Sequence, residues 1–437
     1  MHDQRIGLAT AASVAVGLAG QAAVMISGPL VARMLGADGR GQLAALVLWP
    51  AVIAQLGGLG LPLAVTYELA HGSAGAARVK RAVLLFAGPQ AVILSAVHVV
   101  VLLFVLSGEP ASIRAAGLAT LVAVPASLAQ QYGLAMLQGE QRFAAFNTLR
   151  LLPAALYSAA IIVLFMAGDT RVLPVILALM AGNAAVGILA LLAGLRSRAA
   201  SDGVSNTASI RGMVRFGLRG LLGSVSPIES FQLDQMVLAL FLAKDALGLY
   251  VVGLAFTNLP RFVSQSVGMV AYPNIARQAD ATAARRSLWA FFWLTMAMAV
   301  VIVVPLWLAA GRLVPFFFGG DFRDAVAVTR ILLPGALFAA GRRILSDGMR
   351  GRGYAAAGTV AEVASWFWLA PALAILVPLW GVNGVAAALS GSYALSLATL
   401  LILAMARGEM PYGTILAVGP RAAWNRLRTL SESRSSS

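Results

Sequence analysis

Cysteine is missing from the 437-residue chain, and histidine is confined to His2, His71 and His98. Disulfides, thiolate metal sites and cysteine nucleophiles are thereby excluded, and a histidine metal site or acid–base dyad is disfavoured. His98 lies in an apolar run and reads as an interior residue. Charge is scarce too, at 11% of residues, against roughly 25% in a soluble domain. No GxxxxGK[ST] motif is present, so ATP hydrolysis by this chain has no support. Alternating polar and apolar strand patterns are also lacking, which excludes an outer-membrane barrel. The sequence calls for no metal and no cofactor.

What remains is 60% hydrophobic residues and a mean hydropathy of +0.85. Apolar runs of about 20 residues or more, each long enough to cross a hydrocarbon core, recur along the whole chain. The pattern predicts an all-α integral membrane protein of twelve helices, at 6–35, 41–70, 82–107, 113–138, 145–168, 172–195, 213–243, 246–275, 287–310, 325–349, 356–379 and 383–406. The first run is too long for a signal peptide and is expected to stay as helix 1. Most of the 32 Lys and Arg residues fall on the side of the termini, so both termini are expected in the cytoplasm. The net charge of +15 is then mainly topological, with some attraction to anionic membrane lipids, and implies no nucleic-acid partner.

Residues 196–212 are rich in Ser, Gly, Asn and Arg and read as a cytoplasmic linker. They separate a six-helix lobe at 1–195 from a second at 213–406, followed by a polar cytoplasmic tail at 407–437. Two short repeats support that division. LGADGRGQL (35–43) aligns on LAKDALGLY (242–250), and MLQGEQRFAAFN (136–147) on GMRGRGYAAAG (348–358). Helices 1–2 thus map onto 7–8 and helices 4–5 onto 10–11, as parallel repeats.

The paired segments ISGPLVARMLGADGRGQLAAL and FQLDQMVLALFLAKDALGLYVVGLAF, with AYPNIA ending helix 8 and LVPFFFGGDFRDAVAVTRILLPG leading into helix 10, carry a family pattern. The chain resembles the polysaccharide and oligosaccharide-lipid flippases of the multidrug/oligosaccharidyl-lipid/polysaccharide exporter superfamily. The resemblance implies a V-shaped pair of six-helix lobes that open alternately to either side. It implies a polyprenyl-diphosphate-linked oligosaccharide as cargo, moved from the inner to the outer leaflet of the bacterial plasma membrane. Polysaccharide polymerase and assembly proteins are the partners it suggests.

Helix 8 carries the candidate site. An arginine in mid-membrane costs about 2.5–3.5 kcal/mol on insertion scales, so it normally faces water or a counter-charge. Asn258, Arg261, Gln265, Gly268 and Tyr272 fall on one stripe of a helix. Flipping breaks no bond and needs only a hydrated path with cationic and hydrogen-bonding groups, and the planar guanidinium matches phosphate oxygens. Arg261 is therefore a candidate for the cargo diphosphate. Equally, it can pair with Glu229, which lies at matching depth on helix 7. Glu229 and Asp234 are candidates for an ion pair or for coupling to H+ or Na+. In the first half, Gln55 on helix 2 and Gln21 on helix 1 are milder cavity candidates, and Glu362 on helix 11 a weaker one.

An exporter of drugs or metabolites coupled to cations is the alternative within the same superfamily, favoured by Glu229 and Asp234 and opposed by Arg261. A membrane-embedded transferase would need catalytic groups in sizeable outer loops, and only about 311–324 offers one, so the chain is not expected to be an enzyme.

Overall fold

A computed structural model describes residues 2–71, 76–196, 215, 232–276, 278, 280–354 and 356–409. Among these, every regular element is helical. In chain order they are α1 (His2–Gly57), α2 (Leu61–His71), α3 (Ala76–Val105), α4 (Ala111–Ala119), α5 (Ala123–Gly139), α6 (Phe143–Met166), α7 (Val172–Leu195), α8 (Leu233–Phe241), α9 (Lys244–Ala276), α10 (Ala281–Phe318), α11 (Ala325–Gly351), α12 (Ala357–Trp380) and α13 (Val382–Ala406). Nine helical stretches among the described residues are long and apolar enough to cross a membrane, and a bent pair, Ala22–Gly57 with Leu61–Ala70, makes ten. The chain is a multi-pass membrane protein.

The breaks have local causes. Gly36 interrupts α1 at φ 67°, ψ −175°, a conformation essentially closed to residues with a Cβ. That is where the sequence separates helix 1 from helix 2. A second break at 58–60 bends the chain by 48° into α2. A 3₁₀ turn at Thr120–Val122 joins α4 to α5, so the expected span 113–138 is one interrupted helix. The stretch at 311–324 corrects the expectation of a sizeable outer loop. Helix α10 runs on through Phe318, because the LVPFFF that follows the exposed Arg312 is apolar, and only residues 319–324, with the 3₁₀ turn Gly320–Phe322, separate it from α11. At its other end Asp280 caps α10 by accepting from the amides of Thr282 and Ala283 at 3.0 Å each. Most of the expected helix at 213–243 lies outside the described residues, which include Arg215 and α8.

The chain divides into two compact units, Met1–Ala239 and Leu240–Ser437. In the first, α5 and α7 approach until their backbones touch. A Cβ on Gly133 would stand 2.2 Å from the Ala190 carbonyl carbon, and one on Gly187 would stand 2.6 Å from the Ala126 oxygen. Small residues permit such contact where lipid offers no hydrophobic drive between helices. Tyr132 donates to Gln90 at 2.7 Å, and Gln90 donates to the Gly57 carbonyl at 2.6 Å, a carbonyl at the break before α2. Near the ends of α3 and α5, Lys80 pairs with Glu140 at 2.6 Å, largely buried.

In the second unit α11 is central, packed against α9, α10 and α13. Ser390 on α13 donates to the Ile331 carbonyl at 2.8 Å, and Ala271, Leu288, Ile344, Leu345 and Leu400 are wholly buried in one core. The buried pair Arg342–Glu362 joins α11 to α12, with the Arg342 guanidinium 5.6 Å from the centre of the Tyr393 ring. Residues 407–409 are clasped to this unit. Arg352 bonds both carboxylate oxygens of Glu409 at 2.9 and 3.0 Å, and these bonds hold its guanidinium above the ordinary range. Trp289 donates to the Glu409 carbonyl at 2.7 Å and Arg285 to that of Gly408 at 2.8 Å.

The 136–147 and 348–358 segments share a helix-ending turn, one that also closes α6 and α13. Helix α5 ends in a Schellman turn, with the Arg142 amide bonded to Leu137 O and the Gln141 amide to Gln138 O. Helix α11 ends the same way, Tyr354 to Met349 and Gly353 to Arg350, at the offset of the 136–147 and 348–358 match.

Candidate functional site

Helix α9 is 33 residues long, about 50 Å at 1.5 Å per residue, and so exceeds a ~30 Å hydrocarbon core. Among its buried positions, Gly253, Thr257, Pro260, Ser264, Gly268, Ala271 and Ile275 recur every three or four residues along one packing face. The polar stripe runs along one edge of that face. Arg261 is exposed, and its Nη2 donates to Asn258 Oδ1 one turn earlier at 3.2 Å. Gln265 is half-buried, Tyr272 exposed, and Gly268 buried at the border between stripe and packing face.

Gly268 shows what lies opposite. A Cβ added there would stand 2.8 Å from Asp347 Oδ2 on α11. Near the other end of the contact, a Cβ on Gly253 would stand 2.8 Å from Val328. The two helices therefore run parallel, with a register offset of 75 residues at Gly253 and 79 at Gly268. That register puts Arg343 near the level of Gln265, about one turn from Arg261. Arg343, Asp347 and Arg350 fall within about 60° on α11. Asp347 Oδ1 stands 3.9 Å from Arg350 Nη1, and both side chains keep partial exposure, 21% and 39%. The α9–α11 seam thus strings three arginines, one carboxylate, Asn258 and Gln265 along about 20 Å, between three and four turns of helix. Such a seam attracts anions, and its guanidinium groups offer forked donors to phosphate oxygens.

Sequence reasoning found the α9 half of this seam and missed the α11 half. Arg343 and Arg350 lie toward the end of a span, where positive charge has a topological explanation. A signal was present, since i, i+4 and i+7 spacing places all three on one face.

The other candidates fall elsewhere. Gln55 is exposed on α1, and Asp234 is buried in the first turn of α8, both in the first unit. Thr66, which shares the Gln55 face, donates to Pro62 O and Ala135 O at 3.1 and 3.2 Å. Glu229 lies outside the described residues, as does the side chain of Gln21. Glu362 is committed to Arg342. Among the described residues no three His, Asp or Glu side chains gather to hold a metal.

A family profile described as polysaccharide biosynthesis protein matches residues 9–279. No curated protein matches significantly. Among solved structures, the lipid II flippase MurJ in an inward closed conformation superposes with a TM-score of 0.69 at 12% identity, covering 96% of this chain and 93% of that one. An inward-facing multidrug resistance MATE family transporter of the MOP superfamily gives 0.67 at 15% identity, over 89% and 94%. A eukaryotic MATE transporter gives 0.54 at 11%, over 90% and 96%. At these identities the likeness speaks for the fold.

Proposed function

Because the chain belongs to the polysaccharide biosynthesis protein family and has the fold of MOP-superfamily transporters, we propose that it is an alternating-access flippase. Its cargo is a polyprenyl-diphosphate-linked oligosaccharide, carried from the inner to the outer leaflet of the bacterial plasma membrane. The observation that carries this reading is the α9–α11 seam, where Arg261, Arg343 and Arg350 line up beside Asn258 and Gln265 on exposed or half-buried positions. A diphosphate is the part of such a cargo that guanidinium forks recognise, while the prenyl tail stays in lipid and needs no protein site. No covalent step is required, so the protein acts as a transporter and not an enzyme.

The proposed topology has twelve spans with both termini cytoplasmic. Dividing α1 at Gly36 and counting the helix that includes α8 extends the spans above to that number. The six-helix repeats at 1–195 and 213–406 are supported by the matching Schellman turns at Gln141 and Gly353. Gln55 and Gln21 are cavity residues of the first repeat in this reading, and Glu229 and Asp234 couple transport to H+ or Na+. Polymerase and assembly proteins of the same pathway are the partners it implies.

The test is reconstitution into liposomes with a fluorescent polyprenyl-diphosphate oligosaccharide. Wild type is expected to expose the label to the far leaflet and Arg261→Ala to slow that by tenfold or more, which is about 1.4 kcal/mol and less than the worth of a lost charge-assisted bond. Protein-independent flipping at the same rate would remove the proposal. The MATE likeness supports a second reading, a cation-coupled exporter, and the buried Asp234 favours it. Under that reading Asp234→Asn abolishes dependence on an imposed H+ or Na+ gradient while flipping of the diphosphate lipid is never seen in any variant.

A further inference from the structure

The end of the second unit that carries residues 311–324 holds an arrangement the seam does not use. Arg330, near the start of α11, is exposed, and its guanidinium lies 5.4 Å from the centre of the Trp307 ring on α10. Among the described residues that guanidinium meets no carboxylate and no hydrogen-bond acceptor, whereas Arg342 and Arg352 of the same unit are committed to Glu362 and Glu409. The ring is itself fixed, because the Trp307 indole donates to the Arg330 carbonyl at 3.1 Å. Gly311, one turn beyond Trp307, is exposed and leaves the space beside the guanidinium open. A Cβ there would stand 3.7 Å from Arg330 Nη2.

Depth follows from the length of α10. Val300, Val301, Val304 and Leu308 form an exposed apolar stripe that ends beside Trp307. From the exposed Arg286 to Trp307 the helix rises about 32 Å, one hydrocarbon thickness. Trp307 therefore stands at the boundary where indole rings collect, and a guanidinium stacked on it lies at the level of lipid phosphates. The exposed Arg312 and Arg323 add positive charge at this end, against the exposed Asp321 and Asp324.

We propose that Arg330, laid on Trp307 beside Gly311, is a binding site for a lipid-borne phosphate in the leaflet at this end, the outer one in the proposed topology. The ring takes the face of the guanidinium and orients it, while the N–H groups point outward in its plane, where two phosphate oxygens match the fork. The apolar stripe of α10 offers the acyl or prenyl chains a surface. Arg330 lies about 20 Å along α11 from Arg343, so the site stands whether or not the seam carries a diphosphate. Its phosphate comes from a resident anionic phospholipid or from the diphosphate lipid once flipped, and the two are told apart by probe.

The full chain in detergent is titrated, in native mass spectrometry, with dioleoyl phosphatidylglycerol, with dioleoylglycerol, which lacks the phosphate, and with geranylgeranyl diphosphate. Arg330→Gln and Gly311→Leu are each expected to weaken phosphatidylglycerol binding about three- to fivefold, the worth of one arginine at an anionic surface, and to leave dioleoylglycerol binding unchanged. Arg330→Lys keeps the charge without the fork and is expected to fall between wild type and Arg330→Gln. In a Trp307→Leu background the loss from Arg330→Gln is expected to shrink. Arg261→Ala is expected to leave phosphatidylglycerol binding unchanged, which separates this site from the seam. A loss for geranylgeranyl diphosphate but not for phosphatidylglycerol in Arg330→Gln supports the phosphate site and assigns it to the diphosphate lipid. Unchanged binding of both probes in Arg330→Gln, or an equal loss in Arg312→Gln, overturns the site and leaves the Arg330–Trp307 pair as an interfacial anchor. Monodisperse elution and intact dioleoylglycerol binding exclude misfolding as the cause.

Discussion

Arg342 and Arg343 are neighbours in sequence with opposite circumstances. One is buried and paired with Glu362, its guanidinium over Tyr393, while the other lies on the face of α11 that carries Asp347 and Arg350. Breaking a buried pair leaves an uncompensated charge and costs about 3–5 kcal/mol, whereas removing both partners often costs little. Glu362→Gln is therefore expected to lower the thermal midpoint in detergent by far more than the double variant Arg342→Met/Glu362→Met. Equal losses would mean that the pair contributes packing and not charge. This contrast also marks what a sequence can yield at this scale. Arg261 was legible because it stands alone inside an apolar run. Arg342, Arg343 and Lys80 lie near helix ends, where positive charge has a topological explanation, and only the packing of α12 and α5 reveals Glu362 and Glu140 as partners.

Helices show the same division between what period and length encode and what neighbours decide. The span 172–195 matches α7 at both ends, because Arg171 and Arg196 bracket a continuous apolar run. Helix α10 extends beyond the expected span 287–310, since apolar residues on either side of Arg312 and Pro315 carry the helix past them. The proposed repeat shows in the sequence as two short matches of weak similarity, and the second of them carries a turn. Gln141 stands at φ 58° where its counterpart Gly353 stands at φ 91°. A left-handed residue with a Cβ costs roughly 1–2 kcal/mol, partly offset by the greater unfolded-state freedom of glycine. Gln141→Gly is thus expected to stabilise the first unit by up to about 1 kcal/mol, read as a raised unfolding midpoint. A lowered midpoint would show that the Gln141 side chain outweighs the strain. The register of α9 on α11 was not legible at all, because it rests on contacts at Gly253 and Gly268 between helices far apart in sequence.

At the scale of the whole molecule, the described residues of the two compact units carry unlike polar groups. Among the described residues, the first unit holds Lys80–Glu140 and the Tyr132–Gln90–Gly57 chain within its packing. The second adds the arginine seam, and its Arg352, Trp289 and Arg285 clasp Gly408 and Glu409. The proposed recognition of cargo rests on that seam. Vesicles holding the protein, with a polyprenyl-diphosphate glycolipid and an uncharged glycolipid of the same sugar and tail, test it most directly when their flipping rates are compared in wild type and Arg261→Ala. The account expects wild type to favour the diphosphate lipid and the variant to lose most of that preference while still flipping the uncharged one. An unchanged preference in the variant would contradict it.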